Sequence, residues 1–395
     1  MPSSFTLLIL ATLPLAVLLV PRYIEPYSLL DPIVLNAREE GYEGRQTRWF
    51  NMGWWEGTDS FPEAAEALAL KLLSFAKEGG YQGGGNVLDI GHGAGESLLI
   101  HLNSSSPPKN LHALTSLSLD TYHSKALLRS HSNLIRNTQV QFFTSSAEFK
   151  EGGSRASDLE HPLNPMRGFL GEQSVSSRGG EEGQNIFGDT VDEDVAEGEV
   201  TISEQEGLDN RGGESGPVRY DLVYILDSIY HYKPWIIPFL STVRPVLQAE
   251  ARHGGGDDTN LNNSHGKGAG GMIVYTDVIP PSNLPSWKAL LISHMMSVPL
   301  PNLTRRPSSH TITTAEPSLE AYKSRLEEDG WVDVVVQDWS EGVWPGFAAN
   351  LKARGGIWGR VGDVVAKAEK EGWKFVAVRA RVGSRSGSRQ DGRRA

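Results

Sequence analysis

Residues 86–97 read Asn-Val-Leu-Asp-Ile-Gly-His-Gly-Ala-Gly-Glu-Ser, a short apolar run that ends in glycines at alternate positions (Gly91, Gly93, Gly95) and continues into a helical stretch over 96–102. Few folds accommodate such a turn. Glycine supplies positive φ and lets the main chain approach a ligand, while the first turn of the following helix offers N–H groups without helical partners. The rest of the chain repeats the rhythm. Strand-like runs stand at 111–114, 140–143, 220–226, 272–276, 332–336 and 374–382, and helix-capable stretches at 60–78, 123–136, 235–249 and 318–328. Such alternation predicts an α/β fold, a parallel sheet with helices on both faces. The 60–78 stretch shows its own start signals: Ser60 and Glu63 in capping-box spacing, Pro62 near the first turn, and Ala65, Leu68, Leu72 and Phe75 on one face.

The chain's 395 residues would permit two or three domains, but its charge distribution argues for one. Between 151 and 216, sixteen acids stand against four bases, a net −12, whereas the whole chain carries −11. The acidity therefore belongs to one segment of a nearly neutral body. Segment 149–217 is rich in Gly, Ser and Glu with few apolar residues, too few to offset chain entropy, and is expected to be disordered. The Gly/Asn-rich stretch 251–271 reads as a second loop between strands, and the basic tail 383–395 as a disordered terminus. No other basic cluster exists, so nucleic acid is not an expected partner. The chain contains no cysteine, which excludes disulfide scaffolds, zinc ribbons, iron–sulfur sites and cysteine hydrolases. No His, Asp or Glu grouping has metal-ligand spacing, and there is neither a nucleophile elbow nor a P-loop.

Residues 5–20 are uncharged and are followed by Pro21 and Arg22. This run, within an N-terminal hydrophobic segment 1–21, is expected to anchor the chain in a membrane, marginally long enough to span it. A cleaved signal peptide leading to the secretory pathway, or a helix docked in the core, are the alternatives. Arg22, Arg38, Arg45 and Arg48 all follow the run, which favours a body facing the cytosol from the endoplasmic reticulum or another internal membrane.

The glycine spacing G-x-G-x-G, with Asp89 two residues ahead, differs from the G-x-G-x-x-G of dinucleotide sites. It resembles the S-adenosylmethionine loop of the class I methyltransferases. Residues 220–232 (YDLVYILDSIYHY) are similar to the fourth strand and following loop of that class's small-molecule enzymes, and 270–277 (GGMIVYTD) to the next strand. Residues 51–55 (NMGWW) resemble the entry motif of the branch containing tocopherol and sterol methyltransferases. The resemblance implies a Rossmann-like class I methyltransferase sheet, one domain with disordered insertions over 22–382, with S-adenosyl-L-methionine as cofactor. It implies cofactor contacts from Asp89, Gly91, His92, Gly93, Gly95, Thr115, Ser146, Ala147 and Leu226. Thr115 stands where most members end the second strand in an acid for the ribose, and Ser146 where an acid meets the adenine amine. Those neutral residues keep a second reading open, a catalytically lapsed interaction protein that uses the acidic insertion.

Methyl transfer is an in-line displacement, so a protein contributes alignment, desolvation and, for a protonated acceptor, a base. His231 is the candidate base, because its ordinary pKa lies near neutrality and it follows the fourth strand; Tyr230 and Asp227 stand beside it. A structural histidine bonding a loop carbonyl is the plainer role. Asp277 closes the next strand-like run with the same ambiguity. The aromatic residues Trp54, Trp55, Trp287, Trp331, Trp339, Trp344 and Phe347 are packing candidates, apart from 340–347 (SEGVWPGF), whose glycines and proline suggest a rigid loop lining an acceptor pocket. The expected reaction is methylation of a small, lipophilic acceptor at O, N or C.

Overall fold

The computed structural model describes residues 32–37, 46–147, 161–164, 219–232, 236–247, 270–281, 286–296 and 319–383. The hydrophobic run 5–20, most of 149–217, most of 251–271 and the tail from 384 lie outside them.

Seven strands form one sheet: β1 (Asn86–Ile90), β2 (Asn110–Thr115), β3 (Gln139–Thr144), β4 (Leu222–Ile225), β5 (Met272–Ile279), β6 (Trp331–Asp338) and β7 (Lys374–Val382). Their order is β3-β2-β1-β4-β5-β7-β6. All seven runs singled out in the sequence are strands. The α/β Rossmann-like architecture is present, with one correction. β7 lies antiparallel to both β5 and β6, so the sheet is mixed and not wholly parallel. A strand entering between β5 and β6 after a helix hairpin can run back along both neighbours, and pattern reading sees only the alternation.

The strands are apolar because both faces are covered. Successive residues fall into two cores: Val87, Leu111, Leu222, Tyr224 and Val274 on one side, and Leu88, Ile90, Leu114, Val223, Ile225 and Tyr275 on the other. The first core contains α1 (Phe61–Glu78), which buries Phe61, Leu68, Leu72 and Phe75, and accepts a hydrogen bond from the Tyr224 hydroxyl at Ala69 O. Its expected capping box is not formed. The Ser60 side chain makes no cap bond; Thr58 Oγ1 instead donates to Glu63 Oε2 at 2.8 Å.

α2 (Glu96–Leu102) follows the glycine turn as expected. α3 (Ser118–Ser130) begins five residues earlier than the 123–136 stretch, directly on leaving β2. α4 (Ile236–Val243) stops before Pro245, where a 3₁₀ turn replaces the rest of the expected helix. α5 (Ser286–Met296) precedes α6 (Leu319–Glu328), which packs beside β6. Between β6 and β7 stand α7 (Ser340–Arg354) and α8 (Gly356–Lys370), joined at Gly355 with φ 67°.

The reading of 340–347 as a loop is therefore corrected: it is the start of α7. Gly342 and Gly346 fall four apart on one helix face, where Trp54 and Trp55 pack directly on the backbone. A Cβ at Gly342 would lie 2.3 Å from Trp54 ring atoms, and one at Gly346 2.2 Å from Trp55 Cβ. Trp344 is fully buried, so this segment is core and not a pocket rim. Part of the acidic segment also departs from expectation. Residues 161–164 (HPLN) are buried, with Leu163 in the second core and Leu163 N donating to His161 Nδ1 at 3.1 Å.

Candidate functional site

Strand order reverses between β1 and β4, so connections leave these neighbours on opposite sides and open a crevice beyond their carboxyl ends. The glycine turn sits at that point. Gly91 has φ 77° and donates to Leu114 O at 2.8 Å. A Cβ there would lie 2.5 Å from Ser228 Oγ, so glycine is needed for the β1 and β4 exits to touch. Two residues on, Gly93 (φ 56°) has no atom within 4 Å of an added Cβ. The turn is packed against the protein at one glycine and open at the other.

His92 points inward. It is buried, with Nδ1 3.1 Å from Ser124 Oγ and its ring edge-on to Phe142, and Nε2 has no protein partner. Burial pushes its pKa below the ordinary imidazole value, against a weaker pull from Asp89. Asp89 is also fully buried. Ser97 Oγ donates to its Oδ2 at 2.8 Å, His101 Nε2 lies 3.6 Å away, and Oδ1 has no partner. These contacts tie the turn to α2. Gly95 (φ 104°) is the residue from which α2 starts.

At the end of β2, Thr115 Oγ1 accepts from Leu117 N at 3.2 Å and donates to Asp120 Oδ2 at 3.4 Å. An acid thus does stand at this strand end, brought back by the first turn of α3. A pattern that places the acid on the strand passes over Asp120, which stands five residues on, in the first turn of α3. Beyond β3, Ser145 N donates to Thr115 O, and the Ser146 carbonyl accepts from His161 Nε2 at 3.1 Å. The Leu163 N–H bond to Nδ1 sets that tautomer. Ala147 belongs to the same core as Leu163.

Beyond β4, Leu226 is buried in the first core, and Asp227 holds a left-handed backbone with φ 53°. Its carboxylate has two donors: Met52 N to Oδ2 at 2.6 Å and the Tyr230 hydroxyl to Oδ1 at 2.6 Å. Burial pushes the carboxyl up to about 6, with both hydrogen bonds opposing. Half-buried His231 lies with its ring centroid 4.3 Å from that of buried Tyr230. Ser228 Oγ and the Tyr232 hydroxyl are 3.1 Å apart beside Gly91. The structure brings Gly91, Gly93, Thr115, Ser146, Asp227, Tyr230 and His231 to one end of the sheet. Asp277 stands at the same end of β5, next to Thr276, whose Oγ1 accepts from Asp227 N at 2.9 Å, but its carboxylate is engaged elsewhere: it accepts from the Tyr322 hydroxyl at 2.6 Å and Val278 N at 2.8 Å and ties β5 to α6.

The aromatic residues are mostly packing. Trp331, Trp339 and Trp344 are buried; half-buried Trp54 meets Trp339 edge-on at 5.9 Å and carries Lys71 Nζ 3.9 Å over its ring; Trp287 is 64% exposed. Among the described residues a groove of about 400 Å³ runs between α1 and α2, walled by Trp49, Leu70, Leu73, Leu99 and Ile100. It follows α2 away from the glycine turn. No group of three metal-ligating side chains occurs among the described residues, and none of their helices is long and apolar enough to cross a membrane.

No family model matches the chain, and no curated protein does. Its structure is similar to a Galdieria sulphuraria protein named for sarcosine dimethylglycine methyltransferase activity (12% identity, TM-score 0.48, covering 85% of this chain and 93% of that one). It is similar also to a mycolic acid cyclopropane synthase solved with S-adenosylhomocysteine (12%, 0.47, 85% and 90%). A third is the geranyl diphosphate C-methyltransferase of Streptomyces coelicolor (10%, 0.45, 90% and 98%). Likenesses this distant leave the chemistry to be argued from the chain's own residues.

Proposed function

We propose that this chain is an S-adenosylmethionine-dependent methyltransferase acting on a small, lipophilic acceptor, held at a membrane by residues 5–20 with its body facing the cytosol. The observation that carries the reading is the glycine turn at the switch point, packed at Gly91 and open at Gly93. The open position leaves free space beside the backbone, with the unpaired His92 Nε2 in the same turn and the unpaired Asp89 Oδ1 on β1 just ahead of it. These features suit a cofactor with a nucleoside, a carboxylate and an ammonium group. Main-chain N–H groups around Gly93 would hold it, with Thr115 and Asp120 toward the ribose and Ser146 and Ala147 toward the base.

When bound, S-adenosylmethionine supplies a methyl group on a sulfonium, activated for in-line displacement. The chain contributes alignment and exclusion of water. His231 is set to take a proton from an acceptor hydroxyl or amine, and the Tyr230 ring against it restricts its orientation. Apolar surface next to residues 5–20 in a membrane would deliver lipophilic acceptors; that part of the proposal rests on the sequence alone.

Titrating S-adenosylmethionine into the full chain should give measurable heat and a raised Tm; neither at millimolar ligand rejects the cofactor. His231→Gln should then lower kcat for an O- or N-acceptor by 10²-fold or more with ligand affinity retained. Membrane fractionation with and without residues 1–21 tests the anchor: the shortened chain should leave the membrane pellet.

A further inference from the structure

The glycine turn is held from α3 as well as from the sheet. Ser124, fully buried on α3, seats its hydroxyl between two groups of the turn: Oγ donates to Gly93 O at 3.2 Å and lies 3.1 Å from His92 Nδ1. That approach depends on Gly95, where a Cβ would lie 2.8 Å from Ser124 Oγ. A hydroxyl has one proton to give. With that proton spent on Gly93 O, the ring must donate to Oγ, so Nδ1 carries the imidazole hydrogen and Nε2 a lone pair. Phe142 meets the ring edge-on at 6.0 Å, and burial leaves the ring neutral at pH 7. A directed chain of hydrogen bonds therefore runs from His92 Nδ1 to Ser124 Oγ to Gly93 O.

The chain ends on the open glycine of the turn. Gly93 has φ 56° and nothing within 4 Å of an added Cβ, so packing does not choose the direction of its carbonyl, and glycine tolerates more than one. The bond from Ser124 makes the choice. A trans peptide is planar with its C=O and N–H opposed, so fixing Gly93 O toward α3 turns the Ala94 N–H away from it. Ala94 is buried, and its N–H has no acceptor among the described residues. A buried main-chain donor without a partner is rare, and this one marks the group a ligand would meet.

We propose that His92 and Ser124 are positioning residues: they hold the Gly93–Ala94 peptide with its N–H presented to an acceptor oxygen of the bound cofactor, and His92 acts through Nδ1 and Ser124, not by touching the ligand. This rests on the cofactor reading above.

Calorimetric titration of S-adenosylhomocysteine into the full chain and its variants tests it. Ser124→Ala keeps the Cβ, loses the hydroxyl and should bind about tenfold more weakly. At position 92 the two amide side chains separate the ring nitrogens, since Asn places its donor near the site of Nδ1 and Gln near that of Nε2. His92→Asn should stay within about threefold of wild type, and His92→Gln should fall about tenfold. Imidazole nitrogen NMR reads the ring directly. The resonance that disappears in His92→Asn should show Nδ1 protonated and Nε2 bare in the wild type, and should lose that tautomer in Ser124→Ala. Equal losses in the two amide variants, or Gln binding better than Asn, overturn the proposal, as do wild-type affinity in Ser124→Ala or a ring protonated at Nε2. Should Ser124→Ala not fold, the two variants at 92 and the wild-type ring spectrum decide. A wild type that binds no S-adenosylhomocysteine overturns the cofactor reading and this positioning role with it.

Discussion

Gly91 and Gly93 stand two residues apart with similar positive φ, and their surroundings make them opposite tests. Gly91→Ala adds a Cβ 2.5 Å from Ser228 Oγ on top of an unfavourable backbone, and should cost about 2 kcal/mol or more of stability. Gly93→Ala meets nothing within 4 Å and should cost only about 1 kcal/mol in strain. It should nevertheless weaken S-adenosylmethionine tenfold or more in calorimetry, because the methyl group occupies the ligand's space; wild-type affinity in that variant would move the ligand elsewhere. A second residue-scale effect concerns Asp277. Burial pushes its carboxyl up to about 6 from an ordinary 3.8, so between these values the folded chain binds a proton that the unfolded chain has lost. Stability from this group is then full below about pH 4, falls as pH rises, and levels off above about pH 6, a change of about 3 kcal/mol. Denaturation of Asp277→Asn at pH 4 to 7 should show that much less pH dependence; an unaltered profile would mean the carboxylate is ionised throughout.

At the scale of elements, the strands and α2 were legible because their apolar runs and glycine stops are local. The start of α7 was not. Glycine and proline in 340–347 argue against a helix by propensity, and what overrides them is Trp54 and Trp55, nearly 300 residues earlier in the chain, packed where side chains are missing. Gly346→Ala should therefore destabilise by about 2–3 kcal/mol and alter the near-ultraviolet signal of Trp55. In α8, Gly359→Ala would put its Cβ 3.7 Å from Lys352 O and should be neutral or stabilising by up to about 1 kcal/mol in the same denaturant series. Equal losses in the two variants would refute this account of α7. The capping box failed for a related reason: the spacing was right, but Thr58 reached Glu63 first.

For the whole molecule, net charge sets an acidic segment apart from a neutral body, yet it conceals that 161–164 pack into the body. Leu163 is fully buried in the second core, and His161 bonds the Ser146 carbonyl. Replacing 166–216 by a Gly/Ser linker of about 12 residues should leave stability nearly unchanged. Extending the replacement to 149–216 should cost about 3 kcal/mol, because a buried leucine and its neighbours are lost. Equal unfolding midpoints for the two chains would place HPLN outside the core. The sequence by itself determined the seven strands, the glycine turn and the class of fold, since each depends on residue types within a short window. Tertiary structure alone decided that β7 runs antiparallel, that Asp120 serves the end of β2, that the Asp277 carboxylate turns to Tyr322, and that the Arg48 and Met52 N–H groups meet Glu96 and Asp227. Those outcomes depend on which distant groups meet, and a hydrogen bond between residues 48 and 96 or 52 and 227 leaves no periodicity in the chain for a local pattern to reveal.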